Sequence, residues 1–187
     1  MIVVSGLERS GTSLMMQILK DAGYELCYDD KRKPDINNPK GYYELNDGKI
    51  IATLMDRQFN EEEYHNKVIK ITAYGIPLID SDKYRVVYME RNLYEVNDSQ
   101  HKMMDSRQKQ WLPEDDEIRM LEKVNELAKS HLIKNSIDFV PIDYNDLIKY
   151  PRRELNRLSK FLGKDITDSI KIIDKKLYRN RRNKRWK

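Results

Sequence analysis

The sequence is poor in cysteine and in long apolar runs. A single cysteine, Cys27, excludes an internal disulfide and agrees with a reducing compartment. The opening apolar run, IVV, is too short for a secretory signal, and no later run approaches the length of a membrane span. We therefore expect a soluble, cytoplasmic protein without a membrane span.

Histidine is also scarce, which limits metal and acid–base chemistry. The three histidines are His65, His101 and His131, and no Cys/His spacing predicts a zinc site. His65 and His131 stand in polar surroundings that are typical of surface residues. We expect no resident metal, and we expect Cys27 to serve packing rather than nucleophilic catalysis.

Length and charge predict one domain with a basic tail. The chain has 187 residues, 39% of them hydrophobic, which suits a single core. Residues 175–187 hold eight Lys or Arg and no acid, so the net charge of +4 comes from this tail. We predict a domain over 1–174 and a tail over 175–187. The tail can be a nucleic-acid arm, a solubilising end or a clamp on an anionic ligand.

Short apolar runs alternate with segments of helical periodicity. We predict strands at 2–5, 67–72, 84–89 and 137–144, and helices at 12–22, 92–104 and 113–135. This alternation predicts a single-domain, three-layer α/β/α fold with a central, mostly parallel sheet. Ligands then bind beyond the carboxyl ends of the strands.

The stretch SGLERSGTSL, residues 5–14, looks like a phosphate-binding loop without its lysine. Gly6 and Gly11 keep the spacing of a Walker A loop, but Thr12 stands in the lysine position. An anion cradle survives this change, because it needs only glycine geometry and the N–H groups at a helix start. The sequence also offers no apolar strand that ends in a magnesium-binding acid.

A cation remains within this loop. Arg9 precedes Ser10, and its fork of donors suits a group with several charged oxygens. The alternative is that the segment only starts a helix, with Ser10 or Thr12 as an ordinary N-cap residue.

Three ordered stretches resemble the sulfotransferases that use 3′-phosphoadenosine 5′-phosphosulfate. RSGTSL resembles their 5′-phosphosulfate loop. YRVVYMERNLYEVNDSQ is similar to their 3′-phosphate site, with Arg91 at a strand end and Ser99 eight residues later. Residues 140–163 look like their late strand, aromatic-acidic loop and helix, which would place Tyr144 beside the adenine. The alternative for Tyr144 is a packing role in the core.

The resemblance implies a P-loop NTPase-like sulfotransferase fold and a defined set of cofactor contacts. Basic residues near the C-terminus would add to the 3′-phosphate site, and the sequence does not choose among Arg179, Arg181 and Arg182. The implied cofactor-binding residues are Arg9, Ser10, Gly11, Thr12, Ser13, Arg91, Ser99, Tyr144, Arg179 and Arg181.

The resemblance also implies transfer of a sulfuryl group to a hydroxyl or amine, leaving 3′,5′-adenosine bisphosphate. Arg9 takes the electrophilic role of the family's loop lysine, and Lys70 resembles the lysine that precedes the family's catalytic histidine. That histidine is absent here, since Ile71, Thr72 and Ala73 follow Lys70.

Glu44 is the candidate base in place of the histidine. It lies in NPKGYYELNDGK, residues 38–49, which resembles a segment of small bacterial sulfotransferases. Glu44 can act as a base if burial raises its pKa, and the flanking aromatic residues favour burial. The alternative is a helix-capping role. His101 is two residues beyond Ser99, so on a helix the two face different directions.

Two other functions stay open. One is a P-loop nucleotide or nucleoside kinase, and the other is a non-catalytic nucleotide- or nucleic-acid-binding protein that uses the basic tail. We expect a small-molecule or glycan acceptor rather than nucleic acid, but the sequence does not identify it. Trp111 is a candidate for the acceptor pocket.

Overall fold

The computed structural model contains one five-stranded sheet. It describes residues 1–29, 31–79, 83–104 and 112–181. Within these ranges the strand order is β2-β3-β1-β4-β5, and every neighbouring pair is parallel. The strands are β1 (Ile2–Gly6), β2 (Leu26–Cys27), β3 (Val68–Lys70), β4 (Arg85–Glu90) and β5 (Asp138–Asp143). The predicted α/β fold class is confirmed.

Six α-helices accompany the strands in the described part of the chain. They are α1 (Thr12–Asp21), α2 (Ile50–Met55), α3 (Leu93–Met103), α4 (Glu114–Lys134), α5 (Tyr144–Lys149) and α6 (Pro151–Leu162). The sequence prediction missed β2 and α2, because strands and helices this short carry too few residues to show a period. No helix within the described ranges is long and apolar enough to cross a membrane.

The sheet is covered on both faces, which gives three layers. Alternate residues of β1 point to opposite sides, so that Val3 belongs to one hydrophobic cluster and Val4 to the other. The first cluster includes residues of α3 and α4, and the second includes residues of α1, α5 and α6. Both strand faces are buried, as a parallel sheet requires.

After the central strands β1 and β4 the chain continues into helices on opposite faces of the sheet, and the candidate site lies where these two connections diverge. The helix after β1 packs on one face of the sheet, while the helix after β4 packs on the other. A crevice opens beyond the carboxyl ends of two strands where their connections diverge in this way. The N-terminus of α1 and the C-terminal half of α3 line the cavity at this edge.

The close approach of β1 to β4 requires a glycine at the end of β1. Gly6 pairs with Met89, has φ +134°, and leaves no room for a side chain. A Cβ atom at this position would lie 2.3 Å from the carbonyl oxygen of Met89. The loop after β1 can therefore start directly beside β4.

We expect Gly6→Ala to destabilise the protein strongly. The backbone conformation alone costs about 1 to 3 kcal/mol for a residue with a side chain, and the contact with Met89 adds to this. Gly163→Ala is the matched control, because Gly163 also has a positive φ, +71°, but has no atom within 4 Å of an added Cβ. Denaturant unfolding of both variants measures the difference, and equal destabilisation would contradict the steric argument.

Candidate active site

One cavity at the carboxyl edge of the sheet collects most of the predicted site residues. Its volume is about 270 Å³. Its lining comes from the glycine loop, the start of α1, the segment 32–44, the ends of β3 and β4, helix α3 and the segment 174–180. The predicted residues in the lining are Arg9, Gly11, Thr12, Ser13, Glu44, Lys70, Arg91, Ser99, Tyr144 and Arg179.

The glycine loop presents main-chain groups at the start of α1. Gly11 is the N-cap residue in a left-handed conformation, and no side chain caps the helix. The interpretation of Ser10 or Thr12 as an N-cap is therefore wrong. Ser10 is 1% exposed and does not line the cavity. The free N–H groups at this helix start are suited to an anion.

Arg9 lies within the loop and makes two contacts across the cavity. Its Nε donates to Ser99 Oγ at 2.9 Å, and its Nη2 donates to the carbonyl oxygen of Asn37 at 3.0 Å. Burial, together with the charges of Arg91 and Arg179, lowers the pKa of Arg9. An anion in this cavity would relieve that repulsion.

Arg91 is held by three acceptors and two aromatic rings. Its Nε donates to Glu95 Oε2 at 3.1 Å, while its Nη1 and Nη2 donate to the carbonyl oxygens of Arg9 (3.0 Å) and Asn180 (2.9 Å). Its guanidinium also lies 4.6 Å from the ring centre of Tyr144. The sequence predicts that Arg91 and Ser99 converge on one anion. Both line the cavity, and Ser99 Oγ accepts a hydrogen bond from Arg9.

Tyr144 packs beneath the loop as well as lining the cavity. It is 7% exposed and belongs to the second hydrophobic cluster. A Cβ atom at Gly11 would lie 2.5 Å from its ring, and the ring of Tyr178 contacts it edge-on at 5.5 Å. Packing therefore explains its burial, and its edge remains available to a ligand in the cavity.

Glu44 forms two ion pairs at the opposite end of the cavity. Its Oε1 accepts from Lys70 Nζ at 2.9 Å, and its Oε2 accepts from Arg32 Nη1 at 2.8 Å. Burial raises the pKa of Glu44, but the charges and hydrogen bonds of Lys70 and Arg32 outweigh it, and the pKa lies below its ordinary value. The predicted rise of the Glu44 pKa is wrong, because the fold that buries this carboxylate also places two cations against it.

Lys70 lies at the end of β3 and is 4% exposed. Burial lowers its pKa, and the neighbouring Glu44 partly offsets this. Its Nζ also donates to the carbonyl oxygen of Tyr42, so that it joins β3 to the segment that carries Glu44.

The histidines and the cysteine lie outside the cavity lining. His101 Nε2 lies 2.8 Å from Glu117 Oε2 on α4, so its ring is directed to that helix. Cys27 is buried in the first cluster, and burial raises the pKa of its thiol to about 11. Among the described residues, no three His, Cys, Asp or Glu side chains form a group suited to a metal ion.

The described part of the tail crosses the cavity. Arg179 donates to the carbonyl oxygens of Ile36 (2.9 Å) and Asn37 (3.2 Å) and lines the cavity. Arg181 instead donates to the carbonyl oxygen of Tyr178 at 3.0 Å and does not line the cavity. Arg182 and the candidate acceptor residue Trp111 lie outside the described residues.

Sequence reasoning missed several charged residues of the site, and Arg32 and Glu95 make the most contacts among them. Arg32 lines the cavity and holds Glu44, and its guanidinium lies 3.7 Å from the ring centre of Tyr42. Glu95 is 1% exposed and accepts from Arg91 and from the hydroxyl of Tyr178 at 2.7 Å. An acid four residues after Arg91 on a helix was a usable signal, but Arg32 lies in a segment without any period.

We expect Arg32→Ala to raise the pKa of Glu44, because the charge and hydrogen bond of Arg32 lower it in the wild type. The side-chain carboxyl carbon of Glu44, followed by ¹³C NMR against pH, reports this pKa. Lys31→Ala is the matched control, since Lys31 is a neighbouring cation with a 68% exposed side chain. An unchanged Glu44 pKa in Arg32→Ala would show that the ion pair is absent in solution.

Comparisons with known proteins identify the fold. No known family profile matches the sequence, and no curated protein matches it. The sulfotransferase domain of the Synechococcus PCC 7002 olefin synthase superposes with a TM-score of 0.54 at 15% identity, covering 91% of this chain and 75% of that chain. An unliganded sugar kinase from Janibacter sp. HTCC2649 has a TM-score of 0.39 at 12% identity, covering 92% and 97% of the two chains. The first likeness shows that the chain has the fold of a sulfotransferase domain.

Proposed function

We propose that this protein is a sulfotransferase that moves a sulfuryl group from 3′-phosphoadenosine 5′-phosphosulfate to a hydroxyl or amine acceptor. The observation that carries this proposal is the meeting of separate segments at one cavity. The glycine loop with Arg9, the strand end with Arg91, and the Lys70–Glu44 pair all line it. The sulfotransferase-type fold supports the same assignment.

The residues present fit a ligand with two anionic groups. In the described lining, cations outnumber acids by six to three. Two nitrogens of Arg91 donate to carbonyl oxygens, as they would to phosphate oxygens. A 3′-phosphate bound at Arg91 would replace the carbonyl of Asn180, so the segment 174–180 would shift when the nucleotide binds.

The cofactor supplies a sulfuryl group whose bond to the 5′-phosphate breaks during transfer. Main-chain N–H groups of the loop would bind the 5′ group, and Arg9 and Lys70 would stabilise the charge that develops on the leaving phosphate oxygen. A sulfuryl group carries fewer charges than a phosphoryl group, so these donors suffice in our proposal without a metal.

Glu44 would deprotonate the acceptor. Its carboxylate would accept the proton of the acceptor hydroxyl as the acceptor oxygen attacks the sulfuryl group, while Arg9 and Lys70 would stabilise the electron pair that stays on the 5′-phosphate oxygen. Because its pKa is lowered, Glu44 is ionised near neutral pH. Pairing with two cations makes this carboxylate a weaker base, so release of one cation would strengthen it.

A cytoplasmic location is part of the proposal. The reducing cytoplasm suits a chain whose single cysteine, Cys27, is buried.

We expect 3′,5′-adenosine bisphosphate to bind at least about tenfold more tightly than 5′-AMP, because a hydrogen bond to a charged group such as the 3′-phosphate contributes about 1.5 to 3 kcal/mol. Arg91→Ala should lose most of this difference. Isothermal titration calorimetry without metal measures both affinities. Arg91→Lys is a second variant that keeps a positive charge beside Glu95, so the protein should stay folded. Arg119→Ala is the control and should bind both nucleotides as the wild type does, because Arg119 is an exposed residue on α4.

Equal binding of the two nucleotides to the wild type would defeat the cofactor assignment. Tight binding of ATP that requires magnesium would instead favour a kinase.

We expect Glu44→Gln to keep the affinity for 3′,5′-adenosine bisphosphate and to lose sulfuryl transfer, because glutamine is similar in shape but cannot accept the proton. The effect is measured as transfer of a radiolabelled sulfuryl group from the cofactor to acceptors in a compound library. Glu25→Gln is the control, since Glu25 is 69% exposed and pairs with Lys67 away from the cavity. Full activity in Glu44→Gln would remove Glu44 as the base.

A further inference from the structure

The end of the cavity beyond β3 contains a compact charged cluster in which Arg32 and Thr72 have no role in the proposed cofactor contacts. Arg32 and Lys70 hold the two oxygens of Glu44, at 2.8 Å and 2.9 Å. Arg32 also stacks on Tyr42, whose ring centre is 3.7 Å from its guanidinium carbon. We call Arg32, Glu44, Lys70 and Thr72 the β3-end cluster, and all four line the cavity.

This cluster has one more positive charge than negative charge. Two cations face one carboxylate, and the side chains of Glu44 and Lys70 are only 15% and 4% exposed. Two further acids act on this cluster: Asp35, which accepts from the hydroxyl of Tyr42 at 2.7 Å, and Glu8, whose charge acts on Lys70. Both are solvent-exposed, so water screens their charges and they compensate the two cations only weakly. A partly buried excess charge favours binding of an opposite charge.

Thr72 gives a second, independent sign of a polar ligand. Its Oγ1 atom is buried and has no hydrogen-bond partner within the part of the chain that the structure describes. A buried hydroxyl without a partner costs free energy, and such groups are uncommon in folded proteins. The residue lines the cavity beside Lys70. Because Oγ1 is shielded from solvent, a ligand hydroxyl would give Thr72 the missing bond only after the side chain turns toward the cavity.

Arg32 is the member of the cluster best placed to exchange its partner. Its side chain is 37% exposed, whereas that of Lys70 is 4% exposed. A carboxylate or phosphate of a ligand can take both donors of a guanidinium fork, whereas only Nη1 of Arg32 donates to Glu44. Such an exchange would leave Oε2 of Glu44 without Arg32.

We propose that the β3-end cluster is the acceptor subsite and that the acceptor is a small hydroxylated anion whose negative group binds Arg32. This inference rests on the proposed function and narrows it. Binding of the anionic group draws Arg32 from Glu44, and the freed oxygen accepts the acceptor's hydroxyl proton. A cationic amine is disfavoured, because Arg32 and Lys70 repel it. An acceptor that carries the anionic group therefore activates Glu44 as the base, whereas an acceptor without this group does not.

The test uses four sugars that share one ring and differ in charge. Glucose is neutral, glucuronate and glucose 6-phosphate are anionic, and glucosamine is cationic. Each is titrated by NMR into the full chain, with and without 3′,5′-adenosine bisphosphate. We expect at least one anionic sugar to bind at least about tenfold more tightly than glucose, and glucosamine to bind no better than glucose. The two anions distinguish a carboxylate from a phosphate acceptor.

Three variants test whether the side chain of Arg32 causes the preference for anionic sugars. Arg32→Ala should bind anionic and neutral sugars equally, with unchanged affinity for 3′,5′-adenosine bisphosphate, and Arg32→Lys should keep part of the preference. Lys31→Ala, which removes a neighbouring exposed charge, should keep all of it. Thermal unfolding of each variant checks that it is folded.

Anionic sugars that bind no better than glucose to the wild type would overturn the inference. So would a preference that survives in Arg32→Ala or disappears in Lys31→Ala. Failure of the bisphosphate to bind would instead defeat the proposed function, while Arg32-dependent anion selectivity in the free protein would still support an anion subsite.

Discussion

Mutual repulsion among cations at one edge of the sheet is the constraint on which the site depends. Six Lys or Arg side chains line the cavity in the described part of the chain. The fold offsets this charge with buried carboxylates and with carbonyl oxygens. Glu95 accepts from Arg91, Glu44 accepts from Lys70 and Arg32, and main-chain carbonyls take further donors. These contacts hold the cations close together.

The cavity has two ends with different chemistry. At one end Arg91 lies between aromatic rings, with the tail segment 174–180 across it, which suits a nucleotide phosphate. At the other end Glu44 carries the negative charge between Lys70 and Arg32. Arg9 lies in the loop and reaches Ser99 on α3. In the proposed transfer, the donor would bind at the Arg91 end and the acceptor at the Glu44 end, and the two would meet near Arg9.

Much of the fold could be predicted from the amino-acid sequence. Strand and helix positions followed from periodicity, and β1, β4, α1 and α4 begin and end within one residue of their predicted bounds. The glycine spacing and the residues after each strand indicated the edge of the sheet that carries the site. The segment 24–66 resisted prediction because its elements are short and its burial depends on contacts with distant parts of the chain.

The sequence by itself determined the parallel sheet, the loop that starts at Gly6, and which side chains follow each strand, because these depend on local spacing and periodicity. Tertiary structure alone decided the partners. It placed Arg32 and Lys70 on Glu44, turned Arg9 rather than Arg91 to Ser99, and left Arg181 outside the cavity. The sign of the Glu44 pKa shift followed from those partners, since burial raises a carboxyl pKa and nearby cations lower it. The sequence indicates which residues tend to be buried, but it does not give the distances between charged groups. Those distances decide whether burial or nearby cations have the larger effect on the pKa.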